Sequence, residues 1–393
     1  MHFDRRSLFG AAAAAATAIG SQSARAKLPD GTDVEPRGTI GRLERLPTLD
    51  LEANEEFITT FRVWVNGTLS HAAAASATET LKAKGVNPDA DVSVEKAVDL
   101  LKDDQKLAIR HHMWQRMQML SWDNLKREFH GNYDAYMREM EAADNIGPGK
   151  LELNPSIVTH EFATHEIHMQ PGGFTGDPFA GHLYHYLTNN FREGNNYQDE
   201  VHRRLASVVP VPKDGKVKRI LDTGCGIGRM TIALKERFPD AEVWGVDIGA
   251  PLVRYGHMRA VDLGVGCNFR HALSEDTRFP DNYFDIVTSY ILHHETPADS
   301  SVNIFKEVHR ILRPGGHYFP IDIHTGTDRG VRKNAHSRFS DWVTHRWNHE
   351  RWWFEYQSVD FPKEMRKIGF DVDEKGPPGY AGDKGNVIAY KKA

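Results

Sequence analysis

The sequence predicts an α/β fold, a doubly wound and mostly parallel sheet preceded by a mainly helical domain. Three observations carry this reading. From Lys216 onward, short β-branched and aromatic runs alternate with helical stretches. The first of those runs closes on "LDTGCGIG", three glycines in five positions. From about Pro47 to Pro212 the apolar period is helical instead, with turn clusters between Gly147 and Asn195.

The chain opens with "MHFDRRSLFGAAAAAATAIGSQSARA". Arg5 and Arg6 precede an apolar run from Leu8 to Ile19, and Ala24-Arg25-Ala26 offers small residues at a cleavage spacing. The run is short for a bilayer-spanning helix. This segment resembles a twin-arginine export signal, with the Leu8-Phe9 order reversed. The resemblance implies a signal or anchor over residues 1–26, membrane association through it, and a periplasmic or inner-membrane-associated location. A cytoplasmic location is the alternative, with a misassigned start.

The 393-residue chain is 40% hydrophobic, enough for a sizeable core. With 49 basic and 54 acidic residues, a net charge of −5 gives no attraction for a phosphate backbone, so no nucleic-acid partner is expected. Two cysteines, Cys225 and Cys267, exclude a disulfide framework. Cys225 lies inside the glycine turn and reads as a small buried thiol. Composition says nothing of oligomeric state.

Residues 27–210 are assigned to the helical domain, read as a substrate or lid region, and residues 211–393 to the α/β domain. "EEFITTFRVWVNGTLSHAAAASATETLKAKG" is helical and ends at Gly85 with Pro88. Ser93 caps the next stretch, and "YQDEVHRRLASVV" is a helix closed by Pro210 and Pro212. In the second half "VKRILDTG", "AEVWGVDIG", "CNFRHA", "YFDIVTSYIL" and "GGHYFPIDI" are strands. Helices fall between most of them, starting at Ile227 and at Pro251, so the strands pair in parallel.

Gly224, Gly226 and Gly228 follow the first strand directly, at the edge where such sheets bind ligands. Close approach of a ligand needs backbone without a side chain, and the following helix aims free N–H groups there. Asp222 precedes the first glycine, where it repels a pyrophosphate and welcomes a cationic amine. Asp247 ends the next strand, 25 residues on, where a carboxylate accepts ribose hydroxyls. A nucleoside bearing an amino acid fits this pair better than a dinucleotide.

The run resembles the class I S-adenosylmethionine-dependent methyltransferases, in particular the small-molecule, type 11-like group that includes quinone- and sterol-methylating enzymes. The resemblance rests on "LDTGCGIG", Asp247, "FPDNYFDIVTSYILHHE" and "EVHRILRPGGHYFPID", in that order. It implies a Rossmann-like, mostly parallel seven-stranded sheet, S-adenosylmethionine as cofactor, and methyl transfer to a small-molecule or lipid-like acceptor. It further implies cofactor contacts at Asp222, Gly224, Cys225, Gly226, Gly228, Asp247 and Ile248. The family commonly places Asp or Asn six residues before the phenylalanine of "FPDN", and this chain has Leu273 there. The adenine then falls to neighbours such as His271, Ser274 or Glu275. Export would separate the protein from a cofactor made in the cytoplasm, and the sequence does not resolve that conflict.

For the transfer itself, His293 and His294 follow the fourth strand and are candidate general bases, with Tyr290 a pocket residue. The alternative is that the histidines pack or bind backbone. Residues 324–360 form an insertion dense in aromatics, including Trp342, Trp347, Trp352, Trp353 and Tyr356, which either line the acceptor site or pack on the first domain. His160, His165, His168, His182 and His185 cluster in the first half without a zinc-protease spacing; metal binding with Glu161 or Glu166, use in the substrate pocket, and ordinary packed or exposed histidines are the readings open, and no metal ligand is assigned. "FAGHLYHYLTNNF" is the preferred lid. Two other functions share the glycine turn: an NAD-dependent oxidoreductase, and a non-catalytic binding protein on a degenerate methyltransferase fold.

Overall fold

Side-chain caps start three of the helices of the first half. Thr48 accepts a hydrogen bond from Leu51 N ahead of α1 (Leu49–Trp64), which continues through a π-helical turn, Val65–Leu69, into α2 (Ser70–Ala83). Ser93 caps α3 (Val94–Leu101), accepting from Lys96 N, as the sequence predicts. Asp104 caps α4 (Gln105–Gly131) and also accepts from Ser76 and Thr80, tying α4 to α2; α5 (Tyr133–Ala143) follows. The computed structural model describes residues 38–323, 325, 333–377 and 386–392. After α5 come a loop region, α6 (Ala180–Phe191) and α7 (Glu200–Val208).

The main sheet contains β1 (Leu151–Glu152), β2 (Arg219–Thr223), β3 (Glu242–Asp247), β4 (Asn268–His271), β5 (Phe284–Tyr290), β6 (Leu312–Ile321), β7 (Phe370–Asp373) and β8 (Ile388–Lys391), in the order β1-β4-β3-β2-β5-β6-β8-β7. Pairing is parallel from β1 through β6, and β8 joins β6 and β7 antiparallel. The strand order reverses at β2, so a crevice opens above its C-terminal end. That end carries the glycine turn. The eighth strand is β1, which the first half contributes: Glu152 meets Arg270 at 2.7 Å, and Lys150 O accepts from Phe269 N. It covers an edge that the seven-stranded expectation left open.

Helices α8 (Arg229–Arg237), α9 (Ala250–Asp262), α10 (Ala298–Ile311), α11 (Ala335–Trp347), α12 (Trp353–Ser358) and α13 (Phe361–Ile368) complete the fold. Alternate strand residues point to opposite faces, so Leu221, Val246 and Val287 pack with Ile304 and Phe305 of α10, whereas Ile220, Val243 and Ile286 pack with Met230 of α8 and Val253 of α9. A third core joins the halves, with Phe129, Leu183 and Leu187 against Leu252, Tyr255 and Met258 of α9. In a fourth, Ala335, Phe339 and Val343 of the insertion pack against Leu100 and Leu101 of α3. Each such large apolar side chain contributes roughly 1.5–3 kcal/mol on burial.

Among the described residues, no helix is long and apolar enough to cross a membrane. The longest, α4, carries Lys106, Arg110, Arg116, Asp123, Lys126, Arg127 and Glu128. On the described residues this corrects the expected membrane association and the periplasmic or inner-membrane-associated location, since no described helix supplies a membrane span. Residues 1–26, on which both rested, lie outside the described residues.

Candidate functional site

The turn after β2 is held by backbone first. Cys225 N donates to Val246 O, and Gly228 N donates to Cys225 O, both at 2.9 Å. Gly228 adopts a left-handed conformation, so α8 starts at Arg229 and not at Ile227. Asp247 stitches the two strand ends together: one carboxylate oxygen accepts from Gly226 N and the other from Gly249 N, each at 2.8 Å. Asp222 is buried at the tip of β2 with Thr231 Oγ1 at 2.7 Å and Thr288 Oγ1 at 3.4 Å. Burial pushes its carboxyl up to about 7, the hydroxyl contacts pulling the other way and Asp247 adding to the rise. Among the described residues no cationic side chain pairs with it.

The glycines do different things. A Cβ on Gly226 would meet only Tyr184 Cε1, at 4.0 Å, so that residue faces open space. On Gly228 it would lie 2.4 Å from the Phe269 ring, and on Gly224 it would strike Leu292. Gly228 therefore lets α8 approach β4. Gly226 leaves bare backbone in the cleft.

One cleft is lined by Asp222, Gly224, Cys225, Gly226, Asp247, Ile248 and Tyr290, seven of the residues singled out from sequence. Its far wall includes Phe162, Ile167 and Phe174, with Tyr184 from α6 and Leu252 from α9. Leu292, Glu295 and Thr296 close it beyond β5. The chain turns there through Ile291, a β-branched residue at φ 55°, held by Ile291 N donating to Ile321 O at 2.7 Å. Such backbone costs on the order of 1–3 kcal/mol and is found where surrounding structure dictates it.

Other expected residues lie outside the lining. Gly228 packs on Phe269, and Leu273 bridges to Asp276, with Ser274 beyond the cleft wall. His271 Nε2 bonds to Ile248 O at 3.0 Å, and Glu275 pairs with His160. Both cysteines are free and buried. His293 is enclosed by Ser301 Oγ (3.1 Å) and Tyr318 Oη (2.7 Å), and burial lowers its pKa to about 4. His294 Nδ1 meets Asp322 Oδ1 at 2.6 Å. Neither imidazole reaches the cleft lining, whereas Tyr290 does.

The histidines of the first half separate in the same way. His185 Nδ1 bonds to Tyr255 Oη at 2.7 Å, and the His182 ring lies 4.5 Å from that of Tyr255, so both fill the seam between α6 and α9. His165 bonds to Phe162 O, whereas His168 sits between Glu295 (3.1 Å) and Glu350 (3.0 Å). The helix read as a lid is anchored to α8: Arg229 donates to Thr188 Oγ1 at 2.7 Å and to His185 O at 3.1 Å. In the insertion, Trp342 packs edge-on against Trp347, and Trp353 and Tyr356 flank His294. Only through Trp352, edge-on to Phe162, does a tryptophan of the described insertion approach the cleft wall.

Sequence reasoning gave no role to Phe162, Phe174, Glu295 and Arg229, and it placed Tyr184 only within the expected lid. One local signal was present for Arg229, since a cation in the first turn of a helix opposes the helix dipole and needs a tertiary partner. That partner is Asp199, at 3.4 Å.

Residues 220–316 match the methyltransferase domain family. The chain has the class I methyltransferase fold. The cofactor of this methyltransferase fold is S-adenosylmethionine, and the site fits it: Asp222 is a buried acid without a cation, Asp247 ends the adjacent strand, and Gly226 presents bare backbone between them. Over 107 residues the chain is 36% identical to the ubiquinone/menaquinone biosynthesis C-methyltransferase of Burkholderia mallei, covering 27% of this chain and 43% of that protein. The Burkholderia thailandensis protein of the same name matches to the same extent. The chain thus spans less than half the length of these curated relatives. Among solved structures, a TehB-like S-adenosylmethionine-dependent methyltransferase from Corynebacterium glutamicum matches with TM-score 0.36 and 18% identity, covering 55% of this chain and 100% of that one. Phosphoethanolamine N-methyltransferase 2 from Haemonchus contortus matches with TM-score 0.36 and 19% identity, covering 48% and 42%.

Proposed function

We propose that this protein transfers the methyl group of S-adenosylmethionine to a small, lipid-like acceptor held between the glycine turn and the helical half. The observation that carries the reading is the pair of carboxylates, Asp222 and Asp247, at the ends of adjacent strands on either side of Gly226. Bound there, the cofactor supplies an activated methyl group. Asp222 takes its ammonium, Asp247 accepts from its ribose, and Ile248 with Leu252 packs on its base. Residues 27–210 act as the substrate side and residues 211–393 as the cofactor side.

The chain's remaining task is alignment, because a nucleophile held against an activated methyl needs little further chemistry. Phe162, Ile167, Phe174 and Leu292 make the open wall apolar, which supports a lipid-like acceptor, as do the names of the quinone-pathway relatives. Tyr290 serves as a pocket residue. His293 and His294 act from behind the wall, fixing Asp322 and Glu295. A pyrophosphate of NAD at the glycine turn would meet the Asp222 carboxyl, which disfavours the oxidoreductase reading.

A non-catalytic binding protein is the second reading, and what favours it is that no imidazole expected as base reaches the cleft. Calorimetry of the purified chain with S-adenosylmethionine, followed by detection of S-adenosylhomocysteine over a panel of small hydrophobic acceptors, separates the readings. Binding with product supports methyl transfer. Binding without product across the panel supports the second reading, and binding of NAD alone overturns both.

A further inference from the structure

The cleft ends against a cluster of ionisable side chains that methyl transfer, as proposed above, does not use. His168 comes from the loop before α6, Glu295 from the segment after β5, and Glu350 from the segment after α11. One ligand-type atom from each lies within 4.8 Å of the other two. His294 Nε2 lies 3.4 Å from Glu295 Oε1, and Asn348 Nδ2 lies 3.0 Å from His168 Nδ1.

Glu350 is 4% exposed, and its Oε2 meets no hydrogen-bond donor. A buried acceptor left unmade costs about 1–3 kcal/mol, and more when charged. Glu295 meets both His168 and His294, whereas among the described residues Glu350 pairs only with the His168 that Glu295 shares, so Glu350 has no cation to itself. A divalent cation corrects both deficits with a single atom, and it leaves His168 neutral, the state in which imidazole is a ligand.

We propose that His168, Glu295 and Glu350 form a binding site for a divalent first-row transition-metal cation, Zn²⁺ foremost, beside the cofactor cleft. Imidazole with carboxylates suits Zn²⁺ and, less selectively, Mn²⁺. Glu295 meets Nε2 of His168 and Glu350 meets Nδ1, with the three ligand atoms within 4.8 Å of one another. Ligand atoms about 2.0–2.2 Å from one ion stand roughly 3–4 Å apart, so closure requires one carboxylate to swing to the ring nitrogen that the other faces. Three protein ligands leave a position open, and one of the three, Glu295, lines the cleft. The support behind the ligands is built: the carbonyl of His168 accepts from Trp122 Nε1 at 3.1 Å and from Gln118.

The test uses the untagged full chain, purified without chelator, and reads metal by mass spectrometry and by calorimetric titration of the stripped protein with ZnCl₂ and MnCl₂. Turnover plays no part in it, so failure of the methyl-transfer reading leaves the result intact. The expected result is one Zn²⁺ per chain, lost in His168→Gln and Glu350→Gln and kept in a control, His336→Gln. Absence of bound metal together with absence of binding heat for either salt overturns the site and leaves an ion-pair network with protonated His168. The same stoichiometry in all variants also overturns it, because the metal then binds elsewhere. X-ray absorption of the Zn²⁺-loaded wild-type chain decides the matter even if a variant does not fold. A shell of oxygen with one imidazole supports the site, and a shell of several imidazoles or of sulfur refutes it.

Discussion

Adding one methyl group to Gly226 and, separately, to Gly228 tests the division of labour within the turn. Both residues have left-handed backbone, at φ 53° and 72°, so each alanine pays about 1–2 kcal/mol for conformation alone. At Gly228 the new Cβ also lies 2.4 Å from the buried Phe269 ring, and such overpacking adds about 1–3 kcal/mol. Gly228→Ala should therefore lose roughly 2–5 kcal/mol of stability, and Gly226→Ala only about 1–2 kcal/mol. Cofactor affinity should follow the opposite order. At Gly226 the methyl projects into the cleft, and a loss of tenfold or more, about 1.4 kcal/mol, is expected. Urea unfolding followed by tryptophan fluorescence gives the first quantity, and calorimetry with S-adenosylhomocysteine on folded protein gives the second. Equal destabilisation of the two variants, or unchanged affinity in Gly226→Ala, would refute the assignment of one glycine to packing and the other to the ligand.

Three further outcomes follow from buried charge. Asp222 holds its proton up to about 7 when folded, against an ordinary value of 3.8, so between those pH values the folded state binds more protons and stability falls as pH rises toward 7. A cofactor ammonium beside it reverses the preference; calorimetry at pH 6 in buffers of different ionisation enthalpy should show release of close to one proton on binding, absent in Asp222→Asn, and no release in the wild type would remove the ammonium from that position. Asp247→Asn leaves either Gly226 N or Gly249 N without its acceptor, at about 1–3 kcal/mol, and should weaken cofactor binding by about tenfold or more while leaving the far helices folded by circular dichroism. Asp199, 1% exposed, pairs with Arg42, Arg229 and Arg259; Asp199→Asn strands buried cations and should cost about 3–5 kcal/mol in thermal or urea unfolding, a loss under about 1 kcal/mol showing that water reaches them.

The half of the cleft built by the sheet was legible because local sequence determines it. Period-two runs set strand faces, and a strand followed by alternating glycines sets a turn. Acids placed at two successive strand ends must then converge, since parallel neighbours finish at the same edge. Asp222 and Asp247 were singled out on that basis, and the structure brings both to one cleft. The roles of His293 and His294 were read from their position after β5, but the direction of a side chain after a strand depends on the next backbone torsions. Ile291 at φ 55° turns the chain so that both imidazoles enter the interior with Tyr318 and Asp322, and Glu295 faces the cleft instead.

By itself, then, the sequence determined the α/β class, the order of strands and helices around the glycine turn, and the two carboxylates at adjacent strand ends. Tertiary structure decided the rest of the site. Tyr184 reaches the cleft because α6 packs on α9, Phe174 lies edge-on to Tyr184, Phe162 lies edge-on to Trp352 of the insertion, and His168 meets Glu295 and Glu350 across 127 and 182 positions of chain. Periodicity records which face of an element is apolar, and it carries no information on which distant face will cover it.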